Sequence, residues 1–201
     1  MPIHNIIFDF GGVLYDIDPR LSLGEFARLS GRHDILGQPP SHDFEENVIF
    51  PFEKGGISAG AFRNAIRREL DFEAPDSEID RAWNATLIGV RPDSMRLIGE
   101  LCNAFNLYIL SNTNEIHHSK FAPECKELFS MFGNKYFSFK VGMRKPDREI
   151  FEYLLNTEKI APQESLFIDD TAENISAAED CGIKALHLSG CASLSELLHN
   201  V

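Results

Sequence analysis

Three apolar runs in this chain stop abruptly at polar side chains: Ile6-Ile7-Phe8 at Asp9, Leu107-Tyr108-Ile109-Leu110 at Ser111 and Asn112, and Leu166-Phe167-Ile168 at Asp169 and Asp170. Near-continuous β-rich runs of this kind suit strands covered on both faces, as in a parallel sheet. Two weaker runs, YFSFKVG from Tyr136 and IKALHLS from Ile183, extend the set. Helical patterns lie between them, over 92–105, over 147–158 with Ile150, Leu154 and Leu155 on one side, over 172–181 and over 194–199. Alternation of strand and helix predicts an open α/β sheet.

From about Ile17 to Gly89 the alternation breaks, and only helical patterns remain: RLSLGEFARLS, SAGAFRNAIRREL after Gly55-Gly56, and SEIDRAWNATL around Trp83. The block reads as a helical module, 17–89, inserted between the first strand and the rest of a core formed by 1–16 and 90–201. With 201 residues, 43% hydrophobic and 25% charged, one globular domain with an insertion is an ordinary expectation.

A formal net charge of -12 argues against a nucleic-acid-binding surface, which needs a basic stripe. Cys102, Cys125, Cys181 and Cys191 lack CxxC spacing and read as free thiols, which fits a reducing compartment. Neither a leader pattern nor an apolar run approaching ~20 residues is present, so a cytoplasmic protein with no membrane segment is expected.

Ligands of open parallel sheets sit at the carboxyl ends of the strands. Asp9, Ser111, Asn112, Asp169 and Asp170 all stand at such ends, so one rim should gather them. Three carboxylates brought together raise one another's pKa unless a cation is present. Oxygen ligands with open positions favour Mg²⁺, completed by phosphate oxygens of a substrate.

The hhhDxxGxL start, the LSN strand end, GMRKP with Lys145, and FIDDTAEN resemble, in order and over nearly the whole chain, the four motifs of the haloacid dehalogenase-like hydrolase superfamily. The longer strings FDFGGVLYDID, LSNTN and GMRKPDREIF are similar to the branch containing the α-D-glucose-1-phosphate phosphatases. The resemblance implies a Rossmann-like core with a C1-type helical cap. It also implies a Mg²⁺-dependent phosphatase acting on a small phosphorylated metabolite such as a hexose 1-phosphate. Asp9 would be the nucleophile. Asp9, the Gly11 carbonyl and Asp170 would hold Mg²⁺, with Asp169 assisting. Ser111, the Asn112 N–H and Lys145 would grip the phosphoryl oxygens. Asn174 would orient that shell.

Most phosphatases resembling this chain carry a second aspartate two positions after the nucleophile, where this chain has Gly11. General acid–base help of that kind is worth about 10²–10⁴ in rate. Three readings stay open. An anomeric leaving group needs less protonation; another carboxylate, Asp16, Asp18 or Glu53, substitutes; or turnover is weak, leaving a phosphate-ligand-binding protein or a 2-haloacid dehalogenase. The last chemistry needs no metal, which sits poorly with the Asp169-Asp170 pair.

Other residues have plainer readings. Arg144, in a loop, reads as solvated; His117 and His118 read as surface residues; Trp83, in helical register with Ile79 and Leu87, reads as core; Gly55-Gly56 reads as a turn. Glu53 and Lys54 are carried as substrate-binding candidates from the insert.

Overall fold

The computed structural model describes residues 1–38, 40–188 and 194. Five strands, β1 (Asn5–Phe8), β4 (Asn106–Ser111), β5 (Lys135–Phe137), β6 (Ser165–Asp169) and β7 (Lys184–His187), form one parallel sheet in the order β5-β4-β1-β6-β7. Two more, β2 (Tyr15–Ile17) and β3 (Leu87–Val90), pair antiparallel as a separate ribbon.

Successive side chains of a strand face opposite ways, and β1 shows why its sequence is apolar throughout. Ile6 and Phe8 pack with Leu97, Ile98, Phe121 and Leu128 on one face, while Ile7 packs with Ile150, Phe151, Leu154 and Ala178 on the other. Helices Ser94–Leu101 and Glu115–Glu124 cover the first face; Arg148–Glu158 and Ala172–Asp180 cover the second. The central strand is therefore dry on both sides, as the apolar runs predict.

The insert has its own core, in which Phe26, Phe44, Phe52, Phe62, Ile66 and Ile79 meet. Phe62, Ala65 and Ile66 recur at helical spacing along Ala59–Leu70, and Phe62 stacks on Phe52 with centroids 4.2 Å apart. Ser58 caps that helix by accepting from the Ala61 N–H. From the core, Ile116 joins the same cluster.

The structure corrects the sequence reading in several places. Helices do not fill the insert to its ends, because the entering β2 and leaving β3 zip together at its root. Strands of three or four residues carry too few positions for a period to show. The run from Tyr136 is a strand only to Phe137; Ser138–Val141 is helical. There the Ser138 hydroxyl donates to the Thr113 carbonyl and accepts from the Thr113 N–H, each at 2.9 Å, so side-chain bonds replace the ladder on this edge strand. The 92–105 pattern is helical over Ser94–Leu101. Of the expected helix 194–199, only Leu194 is among the described residues, and Cys191 lies outside them. Cys102, Cys125 and Cys181 are free thiols. Among the described residues no helix is long and apolar enough to cross a membrane.

Candidate active site

Register brings the strand ends together. Phe8 pairs with both Ile109 and Ile168, so Asp9, at the end of β1, lies level with Leu110 and Asp169, and Ser111 stands one step further on. The Asp9 N–H donates to the Ile168 carbonyl at 2.8 Å, which fixes where the chain leaves the sheet. Carboxylate oxygens of Asp9, Asp169 and Asp170, one from each, lie within 4.8 Å of one another.

Lys145 is the partner that makes the buried acids tolerable. Its side chain is 1% exposed, and its Nζ lies 2.9 Å from Asp9 Oδ1 and 2.6 Å from Asp169 Oδ2. Burial pushes the Asp9 carboxyl up to about 7, against the pull of the Lys145 ammonium. Burial also opposes the charge on Lys145, but Asp9 and Asp169 outweigh it and hold the ammonium above the usual lysine value.

The two neighbouring aspartates have different surroundings. Asp169 is fully buried and saturated: besides Lys145 it accepts from the Thr171 N–H at 2.8 Å and from Asn174 Nδ2 at 3.1 Å. Asp170 is exposed, and its carboxylate has one long contact, 3.5 Å from the Thr171 hydroxyl. Although the residue as a whole is exposed, partial desolvation of its carboxylate and the Asp169 charge both raise its pKa. Asp170 packs against Gly12, where φ is +78° and a Cβ would sit 2.0 Å from Oδ2. Gly12 is thus required twice over, by its backbone and by the approach of Asp170. Gly11 is different, since a Cβ there would meet only Ile17, at 3.4 Å or beyond.

Asn112 fixes the lysine loop. Its side-chain carbonyl accepts from the Lys145 N–H and its amide donates to the Lys145 carbonyl, both at 2.8 Å. Ser111 is buried beside it and donates to the Asn112 carbonyl at 3.4 Å.

The insert reaches the same rim. Glu53, on helix Phe50–Glu53, accepts from Arg144 Nε at 3.0 Å, and the Arg144 guanidinium stacks on Phe50 at 3.8 Å. Arg144 is therefore not a solvated loop residue, although a partner 91 positions away leaves no local signal. Lys54 pairs with Asp147 at 2.7 Å. Gly55, at φ +68°, packs on the Phe139 carbonyl so closely that a Cβ would be 2.4 Å away, so the turn read from Gly55-Gly56 is also a contact with the core.

The histidines need correction too. His117 stacks on Trp83 with centroids 4.9 Å apart, and its Nδ1 lies 3.1 Å from Asn84 Oδ1. It sits between insert and core, and burial pushes its pKa down to about 3. His118 is half-buried against Phe121, Phe137 and Phe139. Neither belongs to the acidic cluster. Trp83 is half-buried in the insert core and points its Nε1 at Asn114 Oδ1, 3.4 Å away.

Oxygen donors arranged in this way suit a hard divalent cation such as Mg²⁺. Asp9 and Asp170 have the free capacity, whereas the oxygens of Asp169 are occupied by donors.

The chain is also similar to known proteins in sequence and in fold. A family model described as haloacid dehalogenase-like hydrolase matches residues 3–182. The D-ribitol-5-phosphate phosphatase of Bacteroides thetaiotaomicron is 31% identical over 187 residues, 90% of each chain. The sesquiterpene phosphatase of Aspergillus oryzae is 28% identical over 209 residues, covering 96% of this chain and 95% of that one. A solved haloacid-dehalogenase-family enzyme from Bacteroides thetaiotaomicron, in complex with magnesium and inorganic phosphate, superposes with a TM-score of 0.84 at 28% identity, covering 98% of this chain and 100% of the other.

Proposed function

The chain belongs to the haloacid dehalogenase-like hydrolase family, and from that premise we propose that it is a Mg²⁺-dependent phosphatase that hydrolyses a small sugar or sugar-alcohol phosphate through a phosphorylated Asp9. The observation that carries the reading is the placement of Lys145 between Asp9 and Asp169, with Asp170 unsaturated beside them. A carboxylate nucleophile needs cations on the phosphoryl oxygens it approaches.

In this reading Asp9 Oδ attacks phosphorus. Lys145 offsets charge on the phosphoryl oxygens, and Ser111 Oγ with the Asn112 N–H donates to them. Asp169 holds the lysine head group and Asn112 holds its backbone. Asp9, Asp170 and the Gly11 carbonyl would hold Mg²⁺, which supplies charge stabilisation at the phosphoryl group and orients it. The insert, 17–89, acts as a cap over the core formed by 1–16 and 90–201; Glu53 and Lys54 border the substrate from its side. A phosphorylated polyol is supported by the named activity of the relative from Bacteroides thetaiotaomicron; a hexose 1-phosphate is supported by the motif strings.

The test is phosphate release from a panel containing hexose 1-phosphates, polyol phosphates and 2-haloacids, with and without Mg²⁺. Phosphate release that EDTA abolishes is expected. Halide release that survives EDTA, or phosphate binding without release from any ester, would overturn the proposal.

A further inference from the structure

Expelling an ordinary alcohol from a phosphate ester requires a proton, and hydrolysing an acyl phosphate requires that one be taken from water. With Asp9 as nucleophile and Asp170 given to Mg²⁺, no side chain already placed in the site is free for this. Asp169 is saturated with donors, Lys145 is held charged between two carboxylates, and Gly11 has no side chain. Asp16 is paired with Arg91 at 2.7 Å. Asp18 caps helix Pro19–Ser30 and is gripped by the Arg20 guanidinium at 2.7 and 2.8 Å.

Glu53 remains. Its side chain is 19% exposed, and Arg144, one residue before Lys145, holds Oε2 at 3.0 Å. Among the described residues Oε1 has no donor. The neighbouring turn is pinned to the core by Gly55 against the Phe139 carbonyl and by Lys54 on Asp147, so the carboxyl is held in place. The charges that face it are Arg144 and Lys145 from the core and Glu45 from the insert. Burial raises its pKa against the pull of the two cations, which favours a group that can carry a proton.

We propose that Glu53 is the proton donor and acceptor of the reaction, delivered by the insert, with Arg144 as its positioning residue. This rests on the phosphatase reading above. In the first half-reaction the Glu53 carboxyl gives its proton to the bridging ester oxygen as the bond from phosphorus to the alcohol breaks and the bond from Asp9 to phosphorus forms. The alcohol leaves neutral, and Glu53 remains as carboxylate. In the second, water oxygen bonds to phosphorus as the Asp9–phosphorus bond breaks, and the water proton passes to Glu53. Asp9 returns as carboxylate and Glu53 as acid.

The test compares the intact protein with Glu53→Gln and Arg144→Met, using ribitol 5-phosphate as alkyl ester and 4-nitrophenyl phosphate as aryl ester, with Mg²⁺. Nitrophenolate leaves without a proton. Glu53→Gln is therefore expected to lose about 100-fold or more in kcat on the alkyl ester. On the aryl ester it should give a burst of nitrophenol stoichiometric with enzyme, followed by slow turnover. Arg144→Met keeps the carboxylate and should raise KM without a burst. Equal losses on both esters with no burst, or the same pattern in both variants, would overturn the role of Glu53. An intact protein that releases phosphate neither from these two esters nor from any ester of the panel above would overturn the phosphatase reading, and the role of Glu53 with it.

Discussion

The Asn112 side chain bonds both backbone groups of Lys145, accepting from its N–H and donating to its carbonyl, each at 2.8 Å. One amide at the end of β4 thereby sets the position of a lysine 33 residues away. Asn112→Ala strands two partly buried backbone groups, and an unmade buried hydrogen bond costs about 1–3 kcal/mol. Such a variant should fold with lower stability in urea denaturation and lose about 10–100-fold in kcat/KM for phosphate esters, as charge placement degrades.

Neighbouring glycines should respond differently. Alanine at Gly12 would drive a Cβ to within 2.0 Å of Asp170 Oδ2 in a left-handed backbone, whereas alanine at Gly11 meets only Ile17 at ordinary contact distance. Calorimetric titration with Mg²⁺ should show Gly12→Ala weakened by about tenfold or more, equal to ~1.4 kcal/mol, and Gly11→Ala close to the parent.

Asp9→Asn removes the attacking carboxylate while keeping its shape. No phosphate release is expected, yet the melting temperature should stay near or above that of the parent, since Asp9 is an acid whose burial is unfavourable. Retained hydrolysis would remove Asp9 as nucleophile.

His117 gives stability a pH dependence of known sign. In the fold its pKa is pushed down to about 3, from an ordinary value of ~6.5. Between those values the unfolded chain binds the proton and the folded one does not, so this contribution is complete above ~6.5 and falls as pH drops toward 3. Urea denaturation should find about 2 kcal/mol lost from this residue between pH 7 and pH 5. His117→Gln should flatten that part of the profile, by comparison with the parent.

Much of the core and its rim is legible in the sequence, because strands buried on both faces must be apolar until the chain leaves the sheet. Asp9, Ser111, Asp169 and Asp170 stand out for that reason. Lys145 does not; a lysine before a proline in a loop has no physical mark of burial, and only its motif singles it out. The contacts of Arg144 and His117 are illegible for a related reason: each is decided by a residue of the insert far away in the chain. Gly12 is visible as a glycine, but its necessity lies in Asp170, which only the fold brings against it. The β2–β3 ribbon escapes because its strands are too short to show alternation.

That ribbon closes the root of the insert. The two chain crossings that join it to the sheet are hydrogen-bonded to each other, Tyr15 opposite Val90 and Asp16 opposite Gly89, with a bulge after Asp16. Two independent tethers would let a lobe twist and wander; a doubled strap flexes readily out of its own plane and resists torsion. Glu53 is thereby tied to the sheet twice, through this paired root and through its own bond to Arg144 beside the lysine.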